Sequence, residues 1–135
     1  MPITASVRST TDDLREELLL DGRHTVVIDE PEALGGTNTG PSPFELLAGA
    51  VAGCVAVTMR MYARRKGWEL GELGVDVELD RDCLRADVTV RLPDGLEPEQ
   101  VERLERIAKA CPVAKVLDHG LDVRHEVVTG VPAGG

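Results

Sequence analysis

The sequence predicts an α+β fold, with antiparallel strands and two main helices in the order β-β-α-β-β-α-β. Three observations lead to this prediction: two pairs of alternating strands joined by short turns, a long apolar segment with helix signals at both ends, and a second segment with helical periodicity. No internal repeat or linker interrupts the 135 residues. We therefore expect a single domain over residues 1–135.

The first element is a predicted hairpin formed by residues 14–20 and 24–29. The two segments flank Asp21-Gly22, and Asp-Gly is a favoured two-residue turn because glycine adopts positive φ without steric cost. Residues 30–42 follow and contain two prolines and three glycines. This composition excludes regular structure and predicts a loop.

The next element is a predicted helix at about residues 43–66. Ser42 is a suitable N-cap, Pro43 suits the first helical position, and Glu45 places a carboxylate in the first turn. At the other end, residues 64–66 are all basic and Gly67 follows them, as is usual where a helix stops. Both boundaries of a long apolar helix are therefore defined.

The remaining elements are a second hairpin, a second helix and a last strand. Residues 74–79 and 84–92 alternate apolar and polar residues, which predicts paired strands with one wet face. Residues 98–110 repeat apolar residues at helical spacing, and Pro112 then disturbs the helix. Residues 121–128 alternate again and predict a final strand, before a frayed tail over residues 130–135.

Charge and composition exclude several classes of partner. The net charge is −9 and the isoelectric point is about 4.8, so there is no basic surplus to neutralise phosphates of nucleic acid or of an anionic membrane. The chain has one Phe, one Tyr and one Trp, too few for a platform on which bases stack. We expect no nucleic-acid and no membrane partner.

Targeting signals and cysteine usage predict a cytoplasmic protein. The first residues show no apolar segment behind a basic start, so no secretory signal is expected. Three cysteines in such a chain indicate free thiols and not a disulfide framework. The longest uncharged apolar run, residues 46–57, is too short to span a bilayer.

Two cysteines are candidates for chemistry. Cys54 lies inside the apolar helix, and Cys111 lies where the second helix ends. A thiol in apolar surroundings suggests redox chemistry on an apolar substrate, but cysteine is also one of the most buried residue types and can be purely structural. Cys83 starts a strand and is expected to be structural or incidental. The three histidines, His24, His119 and His125, lack metal-ligand spacing, so we predict neither metal nor cofactor.

Several motifs, in this order along the chain, resemble the OsmC/Ohr family, particularly its small OsmC-like members. They are DEP at residues 29–31 with the glycine pair that follows, GPSPFELL at 40–47, AGC at 52–54, RMYARRKGW at 60–68 and IAKACPVAKVL at 107–117. The resemblance covers a core of about residues 14–128. It implies an intertwined homodimer whose long central helices pack together, with sites at the subunit interface.

The resemblance also implies an activity. Better-characterised members are antioxidant thiol peroxidases that protect against oxidative stress by reducing organic hydroperoxides. They use one peroxidatic and one resolving cysteine, positions that correspond here to Cys54 and Cys111. An external dithiol would then reduce the product. Small members often have a histidine where this chain has Ala114, so a nearby acid or base is missing.

A charged pair is expected to assist Cys54. Because Cys54 lies mid-helix among apolar neighbours, it is expected to gain nothing from a helix N-terminus, and a cation must favour the thiolate. Arg23 is the first candidate and Arg15 the second, with Glu45 holding the arginine. In peroxidase members the acidic residue stands where this chain has Phe44. Glu45 lies nine positions before Cys54, on the opposite face of an ideal helix. Either Gly49 and Gly53 distort the helix, or Glu45 acts towards the other subunit.

Two functions from different classes remain open. The first is a thiol peroxidase for an organic hydroperoxide, because an apolar site favours an alkyl or lipid-like substrate. The second is a non-catalytic protein of the same fold that binds a small hydrophobic ligand and has inert cysteines. The reactivity of the native thiols towards an alkylating agent distinguishes the two.

Overall fold

The computed structural model describes residues 2–130 and confirms the predicted α+β class. Its strands and helices, in chain order, are β1 Ala5–Val7, β2 Glu16–Leu20, β3 His24–Ile28, α1 Pro43–Lys66, β4 Gly74–Asp80, β5 Arg85–Arg91, α2 Pro98–Lys109 and α3 Pro112–His119. They form a three-stranded sheet, β1-β2-β3, and a two-stranded sheet, β4-β5, both antiparallel. Both predicted hairpins and both main helices are present.

The β2–β3 hairpin turns as its sequence predicts. Asp21 and Gly22 both have positive φ, at 52° and 67°, and the Arg23 amide donates to the Leu20 carbonyl over 3.1 Å. Turns of this kind match the right-handed twist of the flanking strands. Strand β1, which pairs Ala5 with Leu20, was not predicted, because a three-residue strand is too short to show a periodic pattern.

The loop after β3 is organised around a buried carboxylate, Asp29, which is 1% exposed. Its oxygens accept hydrogen bonds from the hydroxyls of Thr37 and Thr39 over 2.6 and 2.7 Å. They also accept hydrogen bonds from the amides of Glu30 and Thr39 over 2.7 and 3.1 Å. The Thr37 hydroxyl, followed by the other donors, holds the pKa of Asp29 well below its usual range. The predicted loop is therefore irregular, apart from one 3₁₀ turn at Glu32–Leu34. The hydrogen bonds to Asp29 hold it in place.

Helix α1 begins and ends where the sequence predicts. A reciprocal pair of hydrogen bonds between Ser42 and Glu45 caps its first turn, an arrangement known as a capping box. The last turn contains Arg64, Arg65 and Lys66, and Gly67 follows with a φ of 72°. The left-handed conformation of Gly67 ends the helix.

The described chain divides into two compact units. The first comprises the residues up to 46 together with those from 124 on, and the second comprises residues 47–123. No finding tests the expected single domain, which stays a prediction. The second unit has a hydrophobic core to which α1, α2 and the start of α3 contribute, and its fully or nearly fully buried members include Val55, Met59, Ala63, Leu70, Leu104 and Cys111.

In the C-terminal third, one helix was not predicted and one predicted strand was wrong. Pro112 does not simply end the second helix: it is the first residue of a separate helix, α3, because proline fits the first turn, where no intrahelical amide donor is needed. The predicted strand at 121–128 is not formed within the described chain. Its apolar members Leu121, Val123 and Val127 are 70%, 67% and 92% exposed. Of the predicted tail, residues 131–135 lie outside the described residues.

One face of α1 remains open. Val57 and Met61 are 57% and 60% exposed, and a Cβ added at Gly49 or Gly53 would meet nothing within 4 Å. By length and composition alone, α1 could cross a bilayer, and 28% of its most apolar window is buried. The sequence analysis predicted no membrane-spanning segment, because the uncharged apolar run is short. The central helix of a soluble protein has the same properties when a second chain covers it.

Candidate functional site

The structure brings Cys54 and Cys111 into contact. Cys54 lies in the middle of α1 and is half-buried, whereas Cys111 lies between α2 and α3 and is fully buried. The two thiols interact and shift each other's pKa in opposite directions, and both cysteines are free. Two free thiols in contact, one of them accessible, can form a disulfide after oxidation.

Pro112 explains the position of Cys111. A residue that precedes proline is disfavoured in the helical region, and Cys111 has an extended backbone, with φ −54° and ψ 126°. It is the N-cap of α3, and its carbonyl accepts the Lys115 amide over 3.0 Å. The chain therefore leaves α2, places one thiol against α1 and starts a new helix immediately afterwards.

The first turn of α3 acts on the sulfur of Cys54. The backbone amide of Val113, one of the amides at a helix start that have no partner within their own helix, lowers the pKa of the Cys54 thiol. The sequence analysis assumed that Cys54 gains nothing from a helix N-terminus, and that premise was wrong. Cys54 is mid-helix in α1, but the start of another helix faces it.

Thr58 is a further neighbour of Cys54 that the sequence analysis missed. Its hydroxyl oxygen lies 3.8 Å from the Cys54 sulfur, one turn further along α1. Side chains four positions apart lie on one face of a helix, so the spacing of a threonine four residues after a cysteine was a readable signal. The Val113 amide had no such signal, because it depends on the unpredicted helix α3.

These contacts act on the ionisation of Cys54. Burial by itself raises the pKa of a thiol, since it disfavours the charged form. The hydrogen bonds from Cys111, from the Val113 amide and from Thr58 outweigh burial and hold the pKa of Cys54 below its ordinary value. The accessible thiol is therefore the one that ionises more readily.

The buried thiol shows the opposite effect. Burial, followed by its hydrogen bond to Cys54, raises the pKa of the Cys111 thiol, although the amides of Ala114 and Val113 partly oppose this. A protonated Cys111 can donate to an ionised Cys54, which accounts for both directions. The two thiols thus differ in pKa: the lower pKa of Cys54 suits a nucleophile, and the higher pKa of Cys111 suits a neighbour that carries the proton.

Within the described chain, the ion pairs of Arg23 and Arg15 are formed with carboxylates other than that of Glu45. Arg23 pairs with Asp21 over 3.5 Å and is 72% exposed, and Arg15 pairs with Glu17 over 3.8 Å. Glu45 instead bonds with Ser42 in the capping box. The roles expected for Arg23, Arg15 and Glu45 across an interface stay predictions.

A cavity of about 460 Å³ opens within the second unit. This volume is in the range of small-molecule pockets. Glu105 and Lys109, which form an ion pair over 3.4 Å, are its charged members. The other lining residues are apolar, namely Val55, Met59, Val88, Val90, Leu92, Val101, Ala108 and Ala114. Neither cysteine lines the cavity, although Val55 directly follows Cys54 in α1 and Ala114 lies three residues after Cys111.

The other candidate residues lie elsewhere. Cys83 is exposed in the turn after β4, where its amide donates to the Asp80 carboxylate over 3.3 Å. His119 uses Nδ1 to bond with the Lys115 carbonyl over 2.8 Å. Between residues 2 and 130, no group of three or more His, Cys, Asp or Glu side chains is placed to hold a metal ion.

Solved structures share this fold. A crystal structure from Psychrobacter arcticus, described as a candidate osmotic stress induced and detoxification response protein, aligns with a TM-score of 0.69 at 23% identity, over 83% of this chain and 85% of that one. An OsmC like protein from Mycoplasma pneumoniae aligns with a TM-score of 0.65 at 17% identity, over 87% and 86% of the two chains.

A third structure is an organic hydroperoxide resistance protein OsmC from Legionella pneumophila, which aligns with a TM-score of 0.56 at 20% identity, over 87% of this chain and 89% of that one. No curated protein matches the chain. The family model described as OsmC-like protein matches residues 36–126, more than half of the chain, and confirms the resemblance seen in its motifs. The chain therefore belongs to the family of OsmC-like proteins.

Proposed function

We propose that this protein is a thiol-dependent peroxidase that reduces organic hydroperoxides, with Cys54 as the attacking thiol and Cys111 as the resolving thiol. The observation that carries the proposal is the proximity of two free thiols, of which Cys54 is accessible and Cys111 is buried. The lowered pKa of Cys54 and the raised pKa of Cys111 agree with these two roles. The fold it shares with the Legionella organic hydroperoxide resistance protein supports the same reading. The role would be protection against oxidative stress.

In the first step the ionised sulfur of Cys54 attacks the terminal oxygen of R–O–O–H. An S–O bond forms and the O–O bond breaks, which oxidises Cys54 to a sulfenic acid and reduces the peroxide. The leaving alkoxide, a far stronger base than a thiolate, takes the proton of the Cys111 thiol and departs as the alcohol. Cys111 can act in this way because it is still protonated when Cys54 is ionised.

In the second step the Cys111 thiolate attacks the sulfur of the Cys54 sulfenic acid. A disulfide forms and hydroxide leaves, so the sum of both steps converts one thiolate, one thiol and one hydroperoxide into a disulfide, an alcohol and hydroxide. An external dithiol then restores both thiols by exchange. Arg23 and Glu45 remain our candidates for an accessory pair that a second subunit brings to the site.

The test measures thiols and products together. One equivalent of an alkyl hydroperoxide should consume two thiols and give a disulfide between Cys54 and Cys111, which peptide mass spectrometry locates. Cys54→Ser should abolish peroxide consumption. Cys111→Ser should leave Cys54 as a sulfenic acid that a dimedone-type reagent labels.

Cys83→Ser is the matched control, because it removes the exposed third thiol and should leave both stoichiometry and rate unchanged. Unchanged peroxide consumption by Cys54→Ser would refute the peroxidase proposal.

A second candidate function is favoured by the cavity of about 460 Å³. Its apolar lining would hold a small hydrophobic ligand through the removal of apolar surface from water, without any chemistry at sulfur. An environment-sensitive apolar dye that binds stoichiometrically, together with thiols that react no faster than free cysteine, would favour this function over the peroxidase.

We also propose a homodimer and a cytoplasmic location. The open face of α1, with Val57 and Met61 exposed and two glycines that face open space, is suited to packing against a second copy. A cytoplasmic location agrees with three free cysteines, since reducing compartments keep thiols in this state.

A further inference from the structure

Thr58 is the side chain of the thiol site that no sequence motif singled out. Its hydroxyl oxygen is 3.8 Å from the Cys54 sulfur. A threonine inside a helix often turns its hydroxyl to the carbonyl four residues earlier, which here would also belong to Cys54. The structure places the hydroxyl within hydrogen-bonding distance of the Cys54 sulfur, so the hydroxyl can donate a hydrogen bond to the atom that would react.

We propose that Thr58 is a catalytic residue of the thiol site, whose hydroxyl, together with the Val113 amide, donates to the ionised sulfur of Cys54 and so stabilises the thiolate from within its own chain. This inference rests on the proposed role of Cys54 as the attacking thiol, and it adds a residue to that role.

The chemistry of the donors favours the thiolate over the thiol. When Cys54 is protonated, either the thiol or the Thr58 hydroxyl can donate, and the bond is a weak neutral one. When Cys54 is ionised, only the hydroxyl can donate, and a hydrogen bond to a charged acceptor is about twice as strong. The Val113 amide behaves in the same way and has no option but to donate. Both contacts therefore strengthen on ionisation.

Within the described chain, Cys111 is a titratable group that faces Cys54, and Val113 and Thr58 also lower the pKa of the Cys54 thiol. Arg23 is paired with Asp21 in the same chain. A guanidinium delivered by a second subunit would add to these contacts.

The experiment follows the alkylation of Cys54 by iodoacetamide as a function of pH, in a Cys83→Ser background with peptide mass spectrometry to identify the modified site. Thr58→Val keeps the shape of the side chain and removes the hydroxyl. We expect it to slow alkylation at pH 7 about threefold to tenfold, the effect of losing one hydrogen bond. The difference should vanish at high pH, where the thiolate forms unaided, and Thr58→Ser should restore the parent rate.

Thr89→Val on the exposed face of β5 is the matched control for loss of a threonine hydroxyl, and it should leave the alkylation rate unchanged. Parent-like alkylation by a folded Thr58→Val protein would overturn the proposal.

Alkylation needs no peroxide, so this inference and the proposed function fail separately. If the parent consumes no hydroperoxide but Thr58→Val still alters the pH profile of Cys54, the peroxidase proposal fails and the assignment of Thr58 to thiolate stabilisation is retained. If peroxide is consumed and the Thr58 variants react like the parent, the peroxidase proposal is retained and Thr58 has no catalytic role.

Discussion

Ser42 and Glu45 cap the start of α1 reciprocally. The Ser42 amide donates to the Glu45 carboxylate over 3.1 Å, and the Glu45 amide donates to the Ser42 hydroxyl over 3.2 Å. Two amides that would otherwise lack partners at the helix start are satisfied in this way. Glu45 therefore has a structural task within its own chain, separate from any task it performs towards a second subunit.

The two tasks of Glu45 can be separated by substitution. Glu45→Gln should leave the free energy of unfolding nearly unchanged, because glutamine also completes a capping box. Glu45→Ala should lower it by about 1 kcal/mol, measured by urea denaturation. If the charge of Glu45 also positions an arginine, both variants should lose peroxidase activity to the same extent. Equal stabilities of the two variants would contradict the capping role.

Gly53→Ala tests the open face of α1 through the sign of its effect. Alanine stabilises an exposed helix by about 0.5–1 kcal/mol relative to glycine, and no atom lies within 4 Å to oppose the added Cβ. If a second copy packs here, the methyl group should instead weaken the dimer at least about fivefold. Light scattering should give the parent a mass near twice 14.5 kDa.

Gly49→Ala, one turn earlier on the same face, should behave like Gly53→Ala. A parent protein with the mass of one chain, or a more stable Gly53→Ala variant with unchanged association, would exclude this face from the interface.

Asp29 should make stability depend on pH. Its folded pKa lies well below the usual range, so its stabilising effect is present above the unfolded pKa of about 3.9 and is lost as pH falls towards the folded value. Asp29→Asn should lower the melting temperature at pH 7 by several degrees. The difference from the parent should shrink at about pH 3. A constant difference between the two pH values would refute this account.

Tyr62→Phe should stabilise the protein. The ring is 8% exposed and its hydroxyl has no hydrogen-bond partner among residues 2–130, which costs free energy in a buried position. Phenylalanine retains the edge contact with Trp68, whose ring centre is 5.7 Å away. We expect the free energy of unfolding to rise by about 1 kcal/mol. A fall of that size in chemical denaturation would mean that the hydroxyl has a partner beyond these residues.

Local signals were sufficient for much of the fold. Asp21-Gly22 fixed the first hairpin, and Ser42, Pro43 and Gly67 fixed the limits of α1, because each acts through its own backbone or its immediate neighbours. The strand pattern at 121–128 failed for the opposite reason. Alternation makes a segment suitable for a sheet, but a strand also requires a pairing partner, and this segment pairs with no strand within the described chain.

The candidate site was predicted only in part. The two cysteines were candidates from their positions in the sequence, and their roles came from a family resemblance. Their surroundings depend on α3, and Pro112 is locally as compatible with a helix stop as with a helix start. The Val113 amide could not be assigned without that helix. Thr58 was accessible from its spacing alone, but a threonine hydroxyl in a helix usually has a backbone partner, so spacing by itself gave no reason to select it.

The burial of Cys111 determines how electrons would return to an oxidised site. Its sulfur has no exposed surface, whereas Cys54 is half-buried, so an incoming dithiol can attack a Cys54–Cys111 disulfide only at Cys54. Cys111 is then the leaving group, and a thiol whose pKa is raised leaves slowly. Burial keeps Cys111 protonated until the alkoxide takes its proton. The same burial would make the regeneration of the two thiols slower than the cleavage of the peroxide.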